Sequence, residues 1–413
     1  MRILYVSRLF SGLAEGIRAR RWDPRGVPTV YRLLEALDRS EHDLRVVFTV
    51  KDGAVGWPET ETLTFPIEGF GREITVIPQR ASLPDPFGRA RGYLREITQY
   101  LEIRRLCDTV APDVAYFDRA NIYAASLTAR RTDIPVVWRV MGVPPAMHDM
   151  LDLGGPVAGI TRRAYRAPFA KVICSRDGSG GEQWMARALA PDTPRTMMLN
   201  GVDPHGVGTL DADLGAQLAG PETKILFVAR LVEDKGCLEF VEAVCQALDN
   251  APGRFRAVVA GSGPLAAPMQ ARAADAGHGE RFHFLGQVAH DRILGLQQAC
   301  DIYVSLNRMC NLTNANLEAM RTGVCMIIPA SPGIRGIDVD TDELMPPDTI
   351  LRIASADDVQ GLRDALIALD SDPNERTRRA AAIAVRADCL VPTWEVRIGA
   401  EIEMLEKIGG ARV

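Results

Sequence analysis

Arg230 and Lys235 stand five residues apart in ARLVEDKG, directly after the apolar run ILFV, and the turn between them ends at Gly236. A guanidinium offers a planar fork of donors and an ammonium a mobile point charge, so two such cations near a helix start can hold a diphosphate. A solvated loop with ordinary surface charge is the competing reading. A second stretch, NLTNANLEAMRTGVCMIIP at 311–329, opens with short amides and a hydroxyl, passes through one carboxylate and ends in a strand. Asn311, Thr313, Asn314 and Asn316 can each cap a helix whose N–H groups and positive dipole end then face the ligand side. Glu318, one turn in, can accept two hydrogen bonds from a vicinal diol. Capping needs one such residue, and the surplus points to a site for sugar and phosphate.

Other motifs are less specific. AGSGPL places Gly261 and Gly263 after a strand, with Pro264 opening a helix; it reads as a tight turn or an anion loop. Ala266 could take the third place of a dinucleotide GxGxx(G/A) pattern, but no clear ribose-binding acid ends a following strand about 20 residues on. NGVD, Asn200 to Asp203, is a turn signal at the end of the first β-α series. Asp211-Ala212-Asp213 and Asp338-Val339-Asp340 lie in polar, turn-rich segments and read as acidic surface loops, so no metal is assigned. Asp118, after the run VAYF, reads either as a group that positions an acceptor hydroxyl or as a buried carboxylate at a strand end. The long loop SRLFSGLAEGIRARRWDPRG carries Arg18, Arg20, Arg21 and Arg25 near Trp22, a mix suited to an anionic or lipid-linked acceptor or to a solvated flap with one aromatic anchor.

The elements that must position these residues are short apolar runs alternating with helical periodicity. RILYVS, LRVVFTV, ITVIPQ, VAYFD, PVVWRVMG, KVICS and TMMLNG read as strands in the first half, and KILFVAR, FRAVVAGSG, FHFLG, DIYVSL, CMIIP and TILRI in the second. Val30, Leu33, Leu34 and Leu37 recur at i, i+3, i+4 and i+7 behind Pro28, the pattern of an amphipathic helix. Alternating strands and helices predict α/β domains with parallel sheets covered on both faces. The pattern lapses at 204–220, which reads as a hinge between two doubly wound domains, and a fresh β-α series begins at Lys224. In such sheets ligands bind outside the carboxyl ends of the strands, where all four singled-out loops lie. With 413 residues, 47% apolar and 24% charged, the chain is globular and long enough for two domains. A net charge of -5 without long basic runs argues against nucleic acid as a partner. The eight cysteines show no CxxC spacing, which suggests a reducing compartment. No apolar run approaches the roughly 18 to 20 residues of a membrane span, so a cytoplasmic location is expected, with peripheral contact at the inner membrane face left open.

Read in order, NGVD, VARLVEDKG, VVAGSGPL, FHFLG, ACDIYVSL, NLEAMRTGVCMIIP and PTWEVR resemble the family 4 glycosyltransferases. The resemblance covers most of residues 196–400 and is thinner before them. It implies a GT-B fold, two Rossmann-like domains facing a central cleft: 1–205 acceptor-binding, with the C-terminal helix 391–413 crossing back, and 215–390 donor-binding. It implies retaining, metal-independent, hexosyltransferase-like transfer from a UDP- or GDP-sugar to a hydroxyl of a glycan, lipid-linked glycan or natural product, as in polysaccharide biosynthesis, with no cofactor. By the same resemblance Arg230 and Lys235 bind the diphosphate and stabilise the leaving charge, and Glu318 holds the ribose. Asn311, Leu312, Thr313 and Asn314 present backbone N–H groups, Gln287 and Val288 lie near the base, Gly261 belongs to the donor loop, and Gly26 lets the first loop approach the diphosphate. Cys310 stands where the family commonly has a Glu contacting the transferred sugar. Asp118 stands where a histidine often faces the reacting sugar, and Met141-Gly142 replaces a His-Gly. None of His42, His148, His205, His278, His283 and His290 falls at a matched position, so none is assigned a role. Two rivals are a sugar-nucleotide binder or partner subunit without catalysis, and a Rossmann oxidoreductase using NAD(P) at AGSGPL.

Overall fold

The computed structural model describes residues 1–51, 54–79, 88–203, 206–330 and 339–411. Ile3, Leu4, Tyr5 and Val6 are all essentially inaccessible, so adjacent residues of one strand are buried on opposite faces, as in a sheet covered on both sides. That strand, β1 (Arg2–Arg8), lies within an eight-stranded sheet with β2 (Asp43–Val50), β3 (Leu63–Ile67), β4 (Phe70–Pro78), β5 (Val114–Asp118), β6 (Val136–Val140), β7 (Lys171–Ser175) and β8 (Arg195–Met198). The order is β3-β4-β2-β1-β5-β6-β7-β8. Every pairing is parallel except β3 with β4. The sequence reading contains no β3: Pro66 breaks its apolar run, and a residue without an N–H is tolerated because β3 is an edge strand. The helix Pro28–Asp38 buries Val30, Leu33, Leu34 and Leu37, as its spacing predicts.

A second, six-stranded parallel sheet comprises β9 (Thr223–Val228), β10 (Phe255–Ala260), β11 (Phe282–Gly286), β12 (Ile302–Val304), β13 (Cys325–Pro329) and β14 (Leu351–Ile353), in the order β11-β10-β9-β12-β13-β14. Its two faces build separate clusters. Ile225, Phe227, Phe240 and Val244 lie on one side, and Leu226, Val258, Tyr303, Leu317 and Met320 on the other.

The chain divides into two compact units, Met1–Ser175 with Gly181–Met198 and Glu395–Val413, and Arg176–Gly180 with Leu199–Trp394. The stretch read as a hinge therefore lies in the second unit. Val202 donates to Pro392 O (3.0 Å) and accepts from Trp394 N (3.1 Å), and Leu214 and Leu218 of a short helix (Ala212–Gln217) and its C-cap enter the same core as Leu226. Leu210, Leu214 and Leu218 supply the i, i+4, i+8 stripe that the small and polar residues between them disguise. NGVD likewise belongs to this unit, and Gly201 is dictated by crowding, since a Cβ there would lie 2.6 Å from Trp394 Cα. Pro204 and His205 lie outside the described residues.

In the first unit, one face of the sheet carries buried charge beneath the helix Trp394–Gly410. Glu401 accepts from Tyr116 Oη and from Arg397, each at 2.5 Å, and lies 3.9 Å from Arg139 Nε, while Arg139 donates to Ser175 Oγ at 3.1 Å. Burial alone would raise the Glu401 carboxyl, but Arg139 and Arg397 outweigh it and hold it below the usual range. Burial pushes the stacked phenols Tyr5 and Tyr116 well up, so both stay neutral. Among the described residues no helix is long and apolar enough to cross a membrane. Cys107, Cys174, Cys237, Cys245, Cys300 and Cys325 are buried thiols, and burial pushes that of Cys300 up to about 12.

Candidate functional site

In the second sheet the strand order reverses between β9 and β12, and an open α/β sheet binds ligands at such a switch point, outside the strand carboxyl ends. The loop after β9 carries both expected cations. Arg230 is exposed, and its side chain makes no ion pair or hydrogen bond with the described residues. Lys235 ends a short 3-10 turn, its Nζ donating to Asn307 Oδ1 (3.2 Å) and paired with Asp234 (3.1 Å), which leaves one of its three donors for a ligand. Asn307 follows β12, so Lys235 joins the two loops of the switch point. Arg308 fastens them further: its backbone N–H donates to Asp234 O, and its guanidinium reaches Glu233 O, Glu239 and Asp357.

AGSGPL acquires a structural explanation. Gly261 and Gly263 have φ of 146° and 157°, and a Cβ on them would lie 1.8 Å from Ala229 O and 2.4 Å from Leu231 O. The loop after β10 is thus pressed against the backbone that carries Arg230, with Leu231 N donating to Ser262 O and Leu265 N to Leu231 O. These glycines are required by that contact, without any dinucleotide.

The loop after β12 leads into the helix Asn314–Thr322, capped by Thr313, whose hydroxyl accepts from Asn316 N at 3.3 Å. Most of the expected ligand-facing amide capacity is taken up by the protein. Asn316 is wholly buried, accepting from Tyr303 Oη (2.9 Å) and donating to Asn311 O (2.7 Å). Asn311 is also buried and donates to Pro329 O (3.2 Å), while Asn314 Oδ1 accepts from Asn200 (2.7 Å). Sequence counts potential donors, but a buried loop must satisfy its own backbone first. What the helix offers a ligand is its first-turn N–H groups and its dipole. Leu312 N donates to Asp177 O (3.1 Å), so Arg176–Gly180, with Ser179 held by Asp177 Oδ1, braces this mouth. The Gly-rich run RDGSGG after KVICS was the signal for this brace, which the sequence reading did not single out. Cys310 is half-buried between the anchored Arg308 and Asn311.

Glu318 lies on the same helix, half-buried, with His290 Nε2 3.7 Å from its Oε1. Gln287 is exposed and Val288 packs at the edge of the core, both just beyond β11. In the first unit Gly26 is exposed at φ 82°, in open space. The loop before it is anchored from within: Trp22 stacks on Phe70 (4.5 Å) and donates to Glu35 (2.9 Å), and Arg20 covers the Phe65 ring, while Arg18, Arg21 and Arg25 stay exposed.

Asp118 is buried and accepts four hydrogen bonds, from Ser7 Oγ (2.9 Å) and Arg8 N (2.6 Å) on one oxygen and from Asn121 N (3.2 Å) and Nδ2 (2.7 Å) on the other. It ties the ends of β1 and β5 together and caps a 3-10 turn, so of its two readings the buried carboxylate at a strand end describes its partners, and no catalytic role is carried forward for it. Exposed Asp211 pairs with Arg292, whereas Asp340 is buried against Arg176 rather than a surface group; Asp338 lies outside the described residues.

Over its whole length the chain superposes on sucrose-phosphate synthase from Thermosynechococcus elongatus with a TM-score of 0.70 at 16% identity, covering 100% of both chains. It superposes on Anabaena HepE, solved in complex with UDP and glucose, with a TM-score of 0.68 at 15% identity, covering 98% of this chain and 99% of that one. The fold is GT-B. Within this GT-B chain, residues 222–372 match the family model described as glycosyl transferases group 1. A stretch of 111 residues is 33% identical to the 2-deoxystreptamine glucosyltransferase of Streptomyces kanamyceticus, spanning 27% of this chain and 28% of that curated relative.

Proposed function

We propose that the protein is a glycosyltransferase that takes a sugar from a nucleoside diphosphate sugar. The observation that carries this reading is the convergence, at the switch point of the second sheet, of a cation without a partner among the described residues, a lysine with one donor to spare, an open helix N-terminus and the carboxylate of Glu318. Cations and helix N–H groups suit a diphosphate, and a carboxylate a turn further in suits a ribose diol. The match of residues 222–372 to the glycosyl transferases group 1 model supports it, as do the glucosyltransferase relative and the fold shared with proteins solved with UDP. In this reading donor binding belongs to the second unit and acceptor binding to the first.

The chemistry assigned to these residues is leaving-group stabilisation. Arg230, Lys235 and the N–H groups at 313–315 meet the negative charge that develops on the departing diphosphate, while the acceptor hydroxyl attacks from the same face, retaining configuration. Cations and N–H groups supply this without a metal ion. UDP- and GDP-sugars are the donor classes we favour, a hexose the transferred group, and a glycan, lipid-linked glycan or natural product the acceptor, in a cytoplasmic setting that admits contact with a membrane face. The NAD(P) alternative loses its motif once Gly261 and Gly263 are accounted for by backbone contact.

Calorimetric titration of UDP, GDP, ADP and NAD against the parent protein, Lys235→Ala and Glu318→Ala tests the reading. One nucleoside diphosphate is expected to bind, and each substitution to weaken it by about 1.5 to 3 kcal/mol, the range of hydrogen bonds to charged groups. Binding of NAD alone, or of no nucleotide, would overturn it.

A further inference from the structure

His290 opens the helix His290–Ala299, and its Nε2 stands between two carboxylates, 3.6 Å from Asp203 Oδ2 and 3.7 Å from Glu318 Oε1. The imidazole is well exposed (60%), while Glu318 is mostly enclosed (19%). Both separations are ion-pair distances, attractive when the imidazole is protonated, and a protonated Nε2–H can close to a hydrogen bond with only one of the two oxygens at a time. Charged groups on the neighbouring elements have partners of their own. On its own helix Arg292 pairs with Asp211, and Asp291 is exposed. On the neighbouring helix Arg321 reaches Asp388 and Val391 O, and on β9 Lys224 Nζ donates to Gly220 O. Among the described residues, Asp203 and Glu318 are carboxylates within ion-pair distance of His290.

Resting on the reading of Glu318 as the ribose carboxylate, we infer that His290 is a positioning residue for the donor: when protonated it pairs with Glu318 or with Asp203, and it gives up Glu318 when the ribose diol arrives. A diol needs lone pairs on Glu318 that a protonated imidazole competes for, and Asp203 gives the imidazole an alternative partner. The sign follows. Protonation strengthens the hold of His290 on Glu318, so donor affinity falls as pH drops through the histidine range, and a side chain that cannot protonate removes that component. Neither the NGVD turn nor any histidine carried this role in the sequence, because the three residues are 28 to 115 positions apart and meet only in the fold.

The test is nucleotide affinity from about pH 5.5 to about pH 8, the window of histidine titration, for the parent, His290→Gln and His290→Ala, using UDP, or GDP if only GDP binds, and the matching 2′-deoxynucleotide. The terminal phosphate of the ligand protonates in the same window, and comparing variants removes its contribution. The parent is expected to lose about two- to five-fold more affinity for the ribonucleotide on acidification than either variant, the range for a partly exposed ion pair, and this excess should shrink for the deoxynucleotide. Identical pH profiles for parent and both variants, in a protein that binds nucleotide and depends on Glu318, would overturn the inference alone. Binding that ignores Glu318→Ala would overturn the ribose reading and the inference with it. Circular dichroism across the pH series keeps loss of fold separate from loss of affinity.

Discussion

Both sheets end in polar residues at their switch points, but the two ends differ in how far those residues are already satisfied. At the β1/β5 end of the first unit, Asp118 accepts four hydrogen bonds, and on one face of the same sheet Glu401 lies enclosed between Tyr116, Arg397 and Arg139. At the β9/β12 end of the second, Arg230 is exposed, Lys235 is half engaged and a helix presents its first turn. Residue type is the same currency at both ends; remaining bonding capacity is what separates a brace from a site. Groups enclosed by protein hold the fold, and groups with capacity to spare can meet a ligand.

Substitutions should separate the two ends. The largest effect is expected at Glu401. Glu401→Ala leaves Arg139 and Arg397 buried without their counter-ion and should cost about 3 to 5 kcal/mol in urea unfolding of the first unit. The acid dependence has a definite sign: because the folded protein holds this carboxyl below its usual range, its contribution is present above about pH 4.3, the ordinary glutamate value, and is lost as pH falls below it. Glu401→Gln should flatten unfolding profiles measured through that range, and an unchanged profile would contradict the assignment. Asp118→Ala, which strands donors on Ser7, Arg8 and Asn121, should cost about 2 to 3 kcal/mol of stability and leave nucleotide affinity unchanged. Thr313→Ala removes one cap from the helix Asn314–Thr322 and is expected to cost only about 1 kcal/mol, read from the unfolding midpoint.

The strands were legible because buried parallel strands are short, continuous apolar runs, as in RILYVS and CMIIP. β3 was not, because an edge strand with a proline in it looks like a loop. The apparent hinge at 204–220 was misread for the opposite reason, a sparse leucine stripe inside small residues. In the candidate site, Arg230, Lys235 and Glu318 were legible from type and spacing. The amides of 311–316 and Asp118 were misjudged because sequence shows capacity for hydrogen bonds and hides whether the fold uses it. His290 was invisible because its partners come from distant segments.

The most direct test of the contrast is nucleotide binding measured side by side in Lys235→Ala and Asp118→Ala, with unfolding midpoints for both and whichever of UDP or GDP binds the parent as ligand. Lys235→Ala is predicted to lose affinity by about 1.5 to 3 kcal/mol at unchanged stability, and Asp118→Ala to lose stability while its folded fraction binds as the parent does. Loss of affinity in folded Asp118→Ala, or undiminished binding by Lys235→Ala, would contradict the account.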